Sequence, residues 1–118
     1  MRLAAIDIGS NAARLLISDV SHHENKPQFQ KINLVRVPLR LGLDVFEQKK
    51  ISAEKEEMFL NTIKAYKLLL DAYGVKHWKA AATSAMRDAT NAQEVIARVQ
   101  QETGINIEII TGDTEATL

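Results

Sequence analysis

The order of the predicted strands and helices constrains this fold more than any single motif. Apolar runs with strand periodicity predict three strands, over Arg2–Ile8, residues 13–20 and residues 29–39. The polar segment 21–26 ends at Pro27 and predicts the turn between the second and third strands. Three consecutive strands joined by short turns form an antiparallel meander.

A long helix and a fourth strand are predicted next. Ser52 is a suitable N-cap, apolar residues then recur at spacings of four and three from residue 59 to residue 73, and Gly74 suits the C-terminal cap. His77–Ala82 is a short apolar run that predicts a strand. The pairing of a helix with a following strand favours a parallel crossover onto the meander.

A second helix, a fifth strand and the start of a third helix complete the order. Asn91 with Glu94 three residues later predicts a capping box, and Gly104 predicts the end of that helix. Residues 105–110 predict a strand, and residues 111–118 predict the first turns of another helix. The order βββαβαβ indicates an α/β fold with a mixed sheet. In such folds ligands bind at the strand ends. We also expect the chain to be part of a longer protein.

Composition excludes several classes of function. The 118 residues include 46% hydrophobic side chains, 15 basic and 15 acidic residues and no cysteine. A net charge of +0 gives no support for binding nucleic acid or an anionic membrane, and the absence of cysteine excludes disulfides and thiolate metal sites. No signal peptide or spanning segment is predicted, so we expect a cytoplasmic protein; a homodimer stays open as its assembly state.

The turn after the first strand is the first candidate site. Gly9, Ser10 and Asn11 can turn the chain tightly and direct backbone N–H groups toward an anion. Asp7 suits a phosphate site only if a divalent cation lies between the two negative groups. The alternative is a β-turn in which glycine and asparagine supply the required dihedral angles.

A second candidate follows the fourth strand. The hydroxyls of Thr83 and Ser84 could donate to a ligand or cap a short helix, and Arg87 could bind phosphate oxygens bidentately in the same space. The alternative is that Ser84 caps the helix and Arg87 pairs with Asp88 or Glu94 at the surface.

Two further residues carry a charge near these turns. Glu115, preceded by Asp113, falls in the first turn of the last predicted helix, where a carboxylate could deprotonate a water or simply complement the helix dipole. Arg40 precedes a segment that we predict to be a glycine-containing loop, and it could bind a polyanion or lie in solvent.

Four segments together carry a family resemblance. In order and spacing, AIDIGSNAARLLI, RLGLDVF, ATSAMRDATNA and IEIITGDTEATL resemble the amino-terminal part of the exopolyphosphatase and guanosine pentaphosphate phosphohydrolase family, Ppx/GppA. The resemblance covers essentially the whole chain. It implies a ribonuclease-H-like half-domain of the superfamily of actin, sugar kinases and heat-shock chaperone ATPases.

The resemblance also implies an activity and assigns residues to it. The implied reaction is magnesium-assisted hydrolysis of a terminal phosphoanhydride in inorganic polyphosphate or guanosine pentaphosphate. The resemblance implies that Gly9, Ser10 and Asn11 form the family's phosphate loop, with the acidic residue Asp7 before it and the basic residue Arg14 after it. It also implies that Arg87 contacts phosphate and that Glu115 is the base that activates water. A nucleotide-binding protein without turnover and a kinase-like or actin-like ATPase stay open as alternatives.

The chain departs from the family pattern at three positions. Ala12 replaces a usual hydroxyl residue, and Thr114 and Thr117 replace positions that are often acidic and basic. The family's second glycine-rich phosphate loop would follow these 118 residues. We therefore expect the 118-residue chain to be inactive on its own.

Overall fold

A five-stranded mixed sheet is the centre of the computed structural model, which describes residues 1–110, with Ser84 described by its backbone alone. The strands lie in the order β3-β2-β1-β4-β5. β1 pairs antiparallel with β2 and parallel with β4, β3 extends the antiparallel side, and β5 extends the parallel side. The strands are β1 (Arg2–Ile8), β2 (Ala13–His23), β3 (Lys26–Val37), β4 (His77–Ala82) and β5 (Ile107–Ile109).

Helices pack against the apolar face of this sheet. They are α1 (Leu41–Gln48), α2 (Ala53–Ala72), α3 (Ser84–Asp88) and α4 (Ala92–Thr103). Alternation along β1 explains which face is covered, because Ile6 and Ile8 are buried in the core whereas Asp7 between them is exposed. Phe59 and Ile63 of α2 and Val95 of α4 belong to the same core cluster. The opposite face of the sheet therefore carries Asp7 and its cross-strand neighbours.

The predicted mixed sheet is confirmed, and the bounds of β1 and β4 are those predicted. Two short helices extend the predicted order to βββααβααβ. The glycine-containing loop predicted after Arg40 is wrong, because residues 41–48 form α1. Leu41 and Val45, four residues apart, are buried and hold α1 against the core.

The hairpin between β2 and β3 is longer than predicted. β2 continues to His23 and β3 begins at Lys26, so the predicted turn over residues 21–26 shrinks to Glu24 and Asn25. These two residues have φ angles of 53° and 66°, which suits the tight two-residue turn of a β-hairpin. Pro27 is tolerated within β3 because β3 lies at the edge of the sheet.

Most predicted helix ends are confirmed. The Ser52 hydroxyl accepts a hydrogen bond from the backbone N–H of Lys55, and Gly74 and Gly104 have positive φ angles of 69° and 79°. The capping box at Asn91 is wrong, because the Asn91 side chain makes no capping hydrogen bond. Its amide group instead hydrogen-bonds the backbone of Ile51 before α2.

The fifth strand covers Ile107–Ile109, so it is shorter than the predicted residues 105–110. The helix predicted over residues 111–118 lies outside the described residues. No helix within residues 1–110 is long and apolar enough to cross a membrane.

Candidate functional site

The loop of residues 9–12 joins β1 to β2 and is closed by its own backbone. The Gly9 N–H donates to the Ala12 carbonyl at 2.9 Å. The Ile8 carbonyl, just before the loop, accepts a hydrogen bond from the Thr83 N–H at 3.0 Å. The start of the loop is therefore bonded to the end of the neighbouring parallel strand.

The start of α1 holds the other side of the loop. The Gly42 N–H donates to the Ser10 carbonyl at 2.9 Å, and the Arg40 N–H donates to the Asn11 carbonyl at 2.8 Å. A Cβ atom on Gly42 would lie only 3.0 Å from Ser10 Cβ, so the helix approaches the loop as closely as glycine allows. Three of the four loop carbonyls, those of Ser10, Asn11 and Ala12, are thereby occupied by internal donors.

Two loop N–H groups have no such internal partner. Within residues 1–110, the backbone N–H groups of Asn11 and Ala12 have no hydrogen-bond acceptor. Both residues line an open cavity of about 230 Å³. Because backbone N–H groups need acceptors, this arrangement suits an anion or water in the cavity.

A row of charged side chains continues the cavity across the open face of the sheet. Asp7, Arg14 and Arg36 line the cavity together with residues 9–12. Arg14 of β2 lies opposite Asp7 of β1 on one side and opposite Arg36 of β3 on the other. All three are exposed, and in the region that the structure describes none of them forms an ion pair. The cavity thus combines two guanidinium groups, one carboxylate and unpaired backbone donors.

A buried tyrosine fixes the beginning of β2 directly after the loop. The Tyr66 hydroxyl, from α2, donates to the Ala13 carbonyl at 2.8 Å and lies 3.4 Å from the Val35 carbonyl. Burial raises the pKa of the Tyr66 hydroxyl to about 12, so the group stays neutral and able to donate at physiological pH. The loop is therefore anchored from β4, α1 and α2.

The second predicted segment lies beside the loop on α3. The Thr83 hydroxyl is 3.4 Å from the Ile8 carbonyl, and Thr83 rather than Ser84 occupies the N-cap position of α3, without a side-chain capping bond. The alternative interpretation, with Ser84 as the N-cap residue, does not hold, because Ser84 is the first residue of α3. The Arg87 guanidinium donates to the Ile110 carbonyl at 2.8 Å. Arg87 is not among the described residues that line the 230 Å³ cavity.

A second cavity connects α3 to the loop. Its volume is about 430 Å³, and Ser10 and Gly42 line it together with Ala85 and Asp88 of α3. The structure thus brings Asp7, residues 9–11 and Arg14 into one cavity and places α3 beside the same loop. Glu115 lies outside the described residues.

The sequence interpretation missed two residues at this site. Arg36 is hidden in an edge strand whose register determines its neighbour, and Gly42 belongs to the helix that was predicted as a loop. The sequence gives no signal that places Arg36 beside Arg14, because that pairing depends on a register shift between Ile17 and Ser18. No group of three histidine, cysteine or carboxylate side chains that could hold a metal exists within residues 1–110.

Known proteins resemble this chain over nearly its whole length. Exopolyphosphatase 1 of Mycobacterium tuberculosis is 32% identical over 118 residues, which is 100% of this chain and 33% of that protein. The bifunctional 3-dehydroquinate synthase/phosphatase of Fusobacterium nucleatum is 39% identical over 96% of this chain and 18% of its own length. The chain therefore spans about a third or less of the length of these relatives.

Structure comparison leads to the same group of proteins. The crystal structure of the Aquifex aeolicus member of the Ppx/GppA protein family matches with a TM-score of 0.88 and 36% identity, covering 98% of this chain and 36% of that one. The predicted ribonuclease-H-like half-domain of the actin and sugar kinase superfamily is confirmed by this match. The model of the Ppx/GppA phosphatase family matches residues 16–118. This chain belongs to the Ppx/GppA phosphatase family.

Proposed function

We propose that the protein containing this chain hydrolyses the terminal phosphoanhydride bond of inorganic polyphosphate or guanosine pentaphosphate. The observation that carries the proposal is the cavity beside residues 9–12, where the N–H groups of Asn11 and Ala12 have no acceptor within residues 1–110. One relative of this chain is an exopolyphosphatase, and a phosphate-binding loop fits that activity. On this proposal, the terminal phosphate binds in the loop.

The loop suits a phosphate because most of its backbone carbonyl oxygens are already hydrogen-bonded within the protein. The carbonyls of Ser10 and Asn11 accept hydrogen bonds from α1, so their partial negative charges are compensated. Arg14, exposed in the same cavity, can add a charge-assisted hydrogen bond to a phosphate oxygen. Phosphoryl transfer depends mainly on such positioning and charge stabilisation, which is what this part of the molecule supplies.

The residues at the loop fit a magnesium ion that is bound partly by substrate. Asp7 lines the cavity and forms no ion pair with a described residue, so its carboxylate can face a cation. One carboxylate is sufficient when phosphate oxygens and water complete the octahedral shell, as is usual for magnesium. A bound ion would supply charge neutralisation of the phosphate oxygens.

Four further residues complete the proposal. We assign Glu115 as the base that deprotonates the attacking water, and Arg87 as a contact to the transferred phosphate, with Thr83 and Ser84 as hydroxyl donors nearby. The support for Arg87 is its position on α3. The next residue of α3, Asp88, lines the same cavity as Ser10 of the loop. We further propose that the protein acts in the cytoplasm.

Glu115→Gln in the complete protein tests the proposal. Loss of a general base lowers the rate by about 10² to 10⁴, so phosphate release from polyphosphate should fall by that factor while substrate binding persists. Glu108→Gln is the matched control, because Glu108 is an exposed carboxylate on β5 that lines none of the cavities above. The measurement is steady-state phosphate release together with equilibrium binding.

Three outcomes would contradict parts of the proposal. Wild-type turnover by Glu115→Gln would exclude Glu115 as the base. Tight binding without hydrolysis by the wild-type protein would indicate a binding protein instead of an enzyme. Phosphate release by the 118-residue chain alone would show that no further phosphate loop is needed.

A further inference from the structure

Two arginines face each other across β2 and β3. Arg14 and Arg36 occupy directly opposed positions, and both side chains are exposed on the face of the sheet that lacks α2 and α4. Like charges at directly opposed positions destabilise a sheet. Within residues 1–110 neither arginine forms an ion pair, although Asp7 lies opposite Arg14 on the other side. A bound anion would compensate this repulsion.

A third arginine lies next to this pair in an unusual backbone conformation. Arg40 has φ 57° and ψ 43°, the left-handed region that side chains other than asparagine and glycine rarely adopt. Its N–H donates to the Asn11 carbonyl, so the same hydrogen bond that fixes the loop also fixes Arg40. The Arg40 side chain is exposed and, among the residues described, forms no ion pair.

Arg36 and Arg40 share a cavity that adjoins the loop. This cavity of about 520 Å³ is lined by both arginines and by Asn11, Pro38 and Leu43. Asn11 and Arg36 also line the 230 Å³ cavity that holds the unpaired loop N–H groups. The two cavities are therefore adjacent, and their arginines define a cationic path from the loop toward the start of α1.

We infer that Arg36 and Arg40 form a subsite for the inner phosphates of a linear polyphosphate whose terminal phosphate occupies the loop. The inference rests on the proposed function and narrows its substrate class. A linear chain of phosphates carries charge along its whole length, so it can contact the loop and both arginines at once. In guanosine pentaphosphate the ribose interrupts the run of phosphates, so it offers fewer consecutive oxyanions to the loop and both arginines than a long-chain polyphosphate does.

The test compares two substrates in the complete protein. Arg36→Gln and Arg40→Asn remove one charge each, and asparagine tolerates the left-handed backbone at residue 40. Each variant should raise KM for long-chain polyphosphate about tenfold, as expected for a lost charge-assisted hydrogen bond. KM for tripolyphosphate should rise less than KM for long chains, and least in Arg40→Asn, because Arg40 lines only the 520 Å³ cavity whereas Arg36 also lines the loop cavity.

Matched variants separate a specific contact from loss of charge. Lys31→Gln removes one exposed charge from the same strand outside the cavities and should leave both KM values unchanged. Arg36→Lys keeps the charge and should restore part of the affinity for long chains. Thermal unfolding of each variant verifies that it is folded.

The possible failures are distinct. No phosphate release by the wild-type protein from either substrate would contradict the proposed function itself. Wild-type activity with long-chain KM unchanged in Arg36→Gln and Arg40→Asn would overturn only the subsite. An equal rise in KM for both substrates would overturn it as well, since the arginines would then act on the terminal phosphate.

Discussion

Replacing Gly42 with alanine should lower the rate of phosphate release and leave the stability of the fold nearly unchanged. The new Cβ atom would lie 3.0 Å from Ser10 Cβ and 3.4 Å from the Ser10 carbonyl oxygen. Carbon atoms pack favourably at about 3.5 to 4.0 Å, so the loop or α1 must move by about 0.5 Å. Either movement changes the contact between α1 and the loop that we propose binds the terminal phosphate.

The expected magnitude follows from this displacement. A misplacement of about 1 Å can lower a catalytic rate about 10²-fold, so about 0.5 Å should lower kcat/KM by about tenfold. Stability changes little because two effects oppose each other. Alanine is favoured over glycine in a helix by up to about 1 kcal/mol, and overpacking of the contact costs a similar amount.

Steady-state phosphate release and thermal unfolding of the complete protein measure the two effects. Gly74→Ala is the matched control, because a Cβ there meets no atom within 4 Å but residue 74 has a φ of +69°. It should lower the free energy of unfolding by about 1 kcal/mol and leave kcat/KM unchanged. Wild-type kcat/KM in Gly42→Ala, with a raised Tm, would refute the reasoning.

Three further predictions concern the residues that support the site. Tyr66→Phe removes the hydroxyl that donates to the strand carbonyls and should lower the free energy of unfolding by about 1 to 2 kcal/mol in denaturant titration. In the wild type, ultraviolet absorbance should show that the Tyr66 hydroxyl ionises near pH 12. Arg98→Ala should lower Tm at neutral pH, and this loss of Tm should shrink in acid. Arg98 lowers the pKa of Glu102, so the ion pair stabilises the fold above about pH 4.5. That stabilisation disappears as the pH falls through the lowered pKa of Glu102. Asn91→Ala should cost about 2 kcal/mol, since both of its hydrogen bonds to Ile51 are lost, whereas Asn91→Asp keeps the acceptor and should cost less.

Each of these three has a contradicting result. An unchanged free energy of unfolding in Tyr66→Phe would show that its hydroxyl contributes nothing to the sheet. A Tm difference for Arg98→Ala that stays constant from neutral pH to acid would exclude the linkage to Glu102. Equal losses in the Ala and Asp variants of Asn91 would show that its acceptor bond is not stabilising.

The sequence predicted elements whose signals are local. β1 and β4 are short apolar runs with polar residues or glycine at their ends, and their bounds agree with the structure. α1 was missed because its formation depends on distant contacts. Gly42, in its first turn, is a poor helix former, and α1 is held by the bond from Gly42 to Ser10 and by the bond from the Ser52 hydroxyl to Asp44.

The site was predictable only in part for a similar reason. Residues 9–11 are predictable as a tight loop from their turn chemistry, but the position of Arg36 depends on a register shift between Ile17 and Ser18. Counting pairs from the hairpin turn without that bulge would place Val35 opposite Arg14. A one-residue shift exchanges the two faces of a strand, so the cationic path could not be found without the register.

The bonds that hold residues 9–12 also determine what binding costs in entropy. Because the neighbouring strand, α1 and Tyr66 already order the loop, an incoming anion does not have to immobilise it. Ordering a flexible segment on binding weakens affinity, whereas a preorganised one keeps the gain from its contacts. Mutations at the start of α1 that never touch a ligand should therefore weaken binding by returning conformational freedom to the loop.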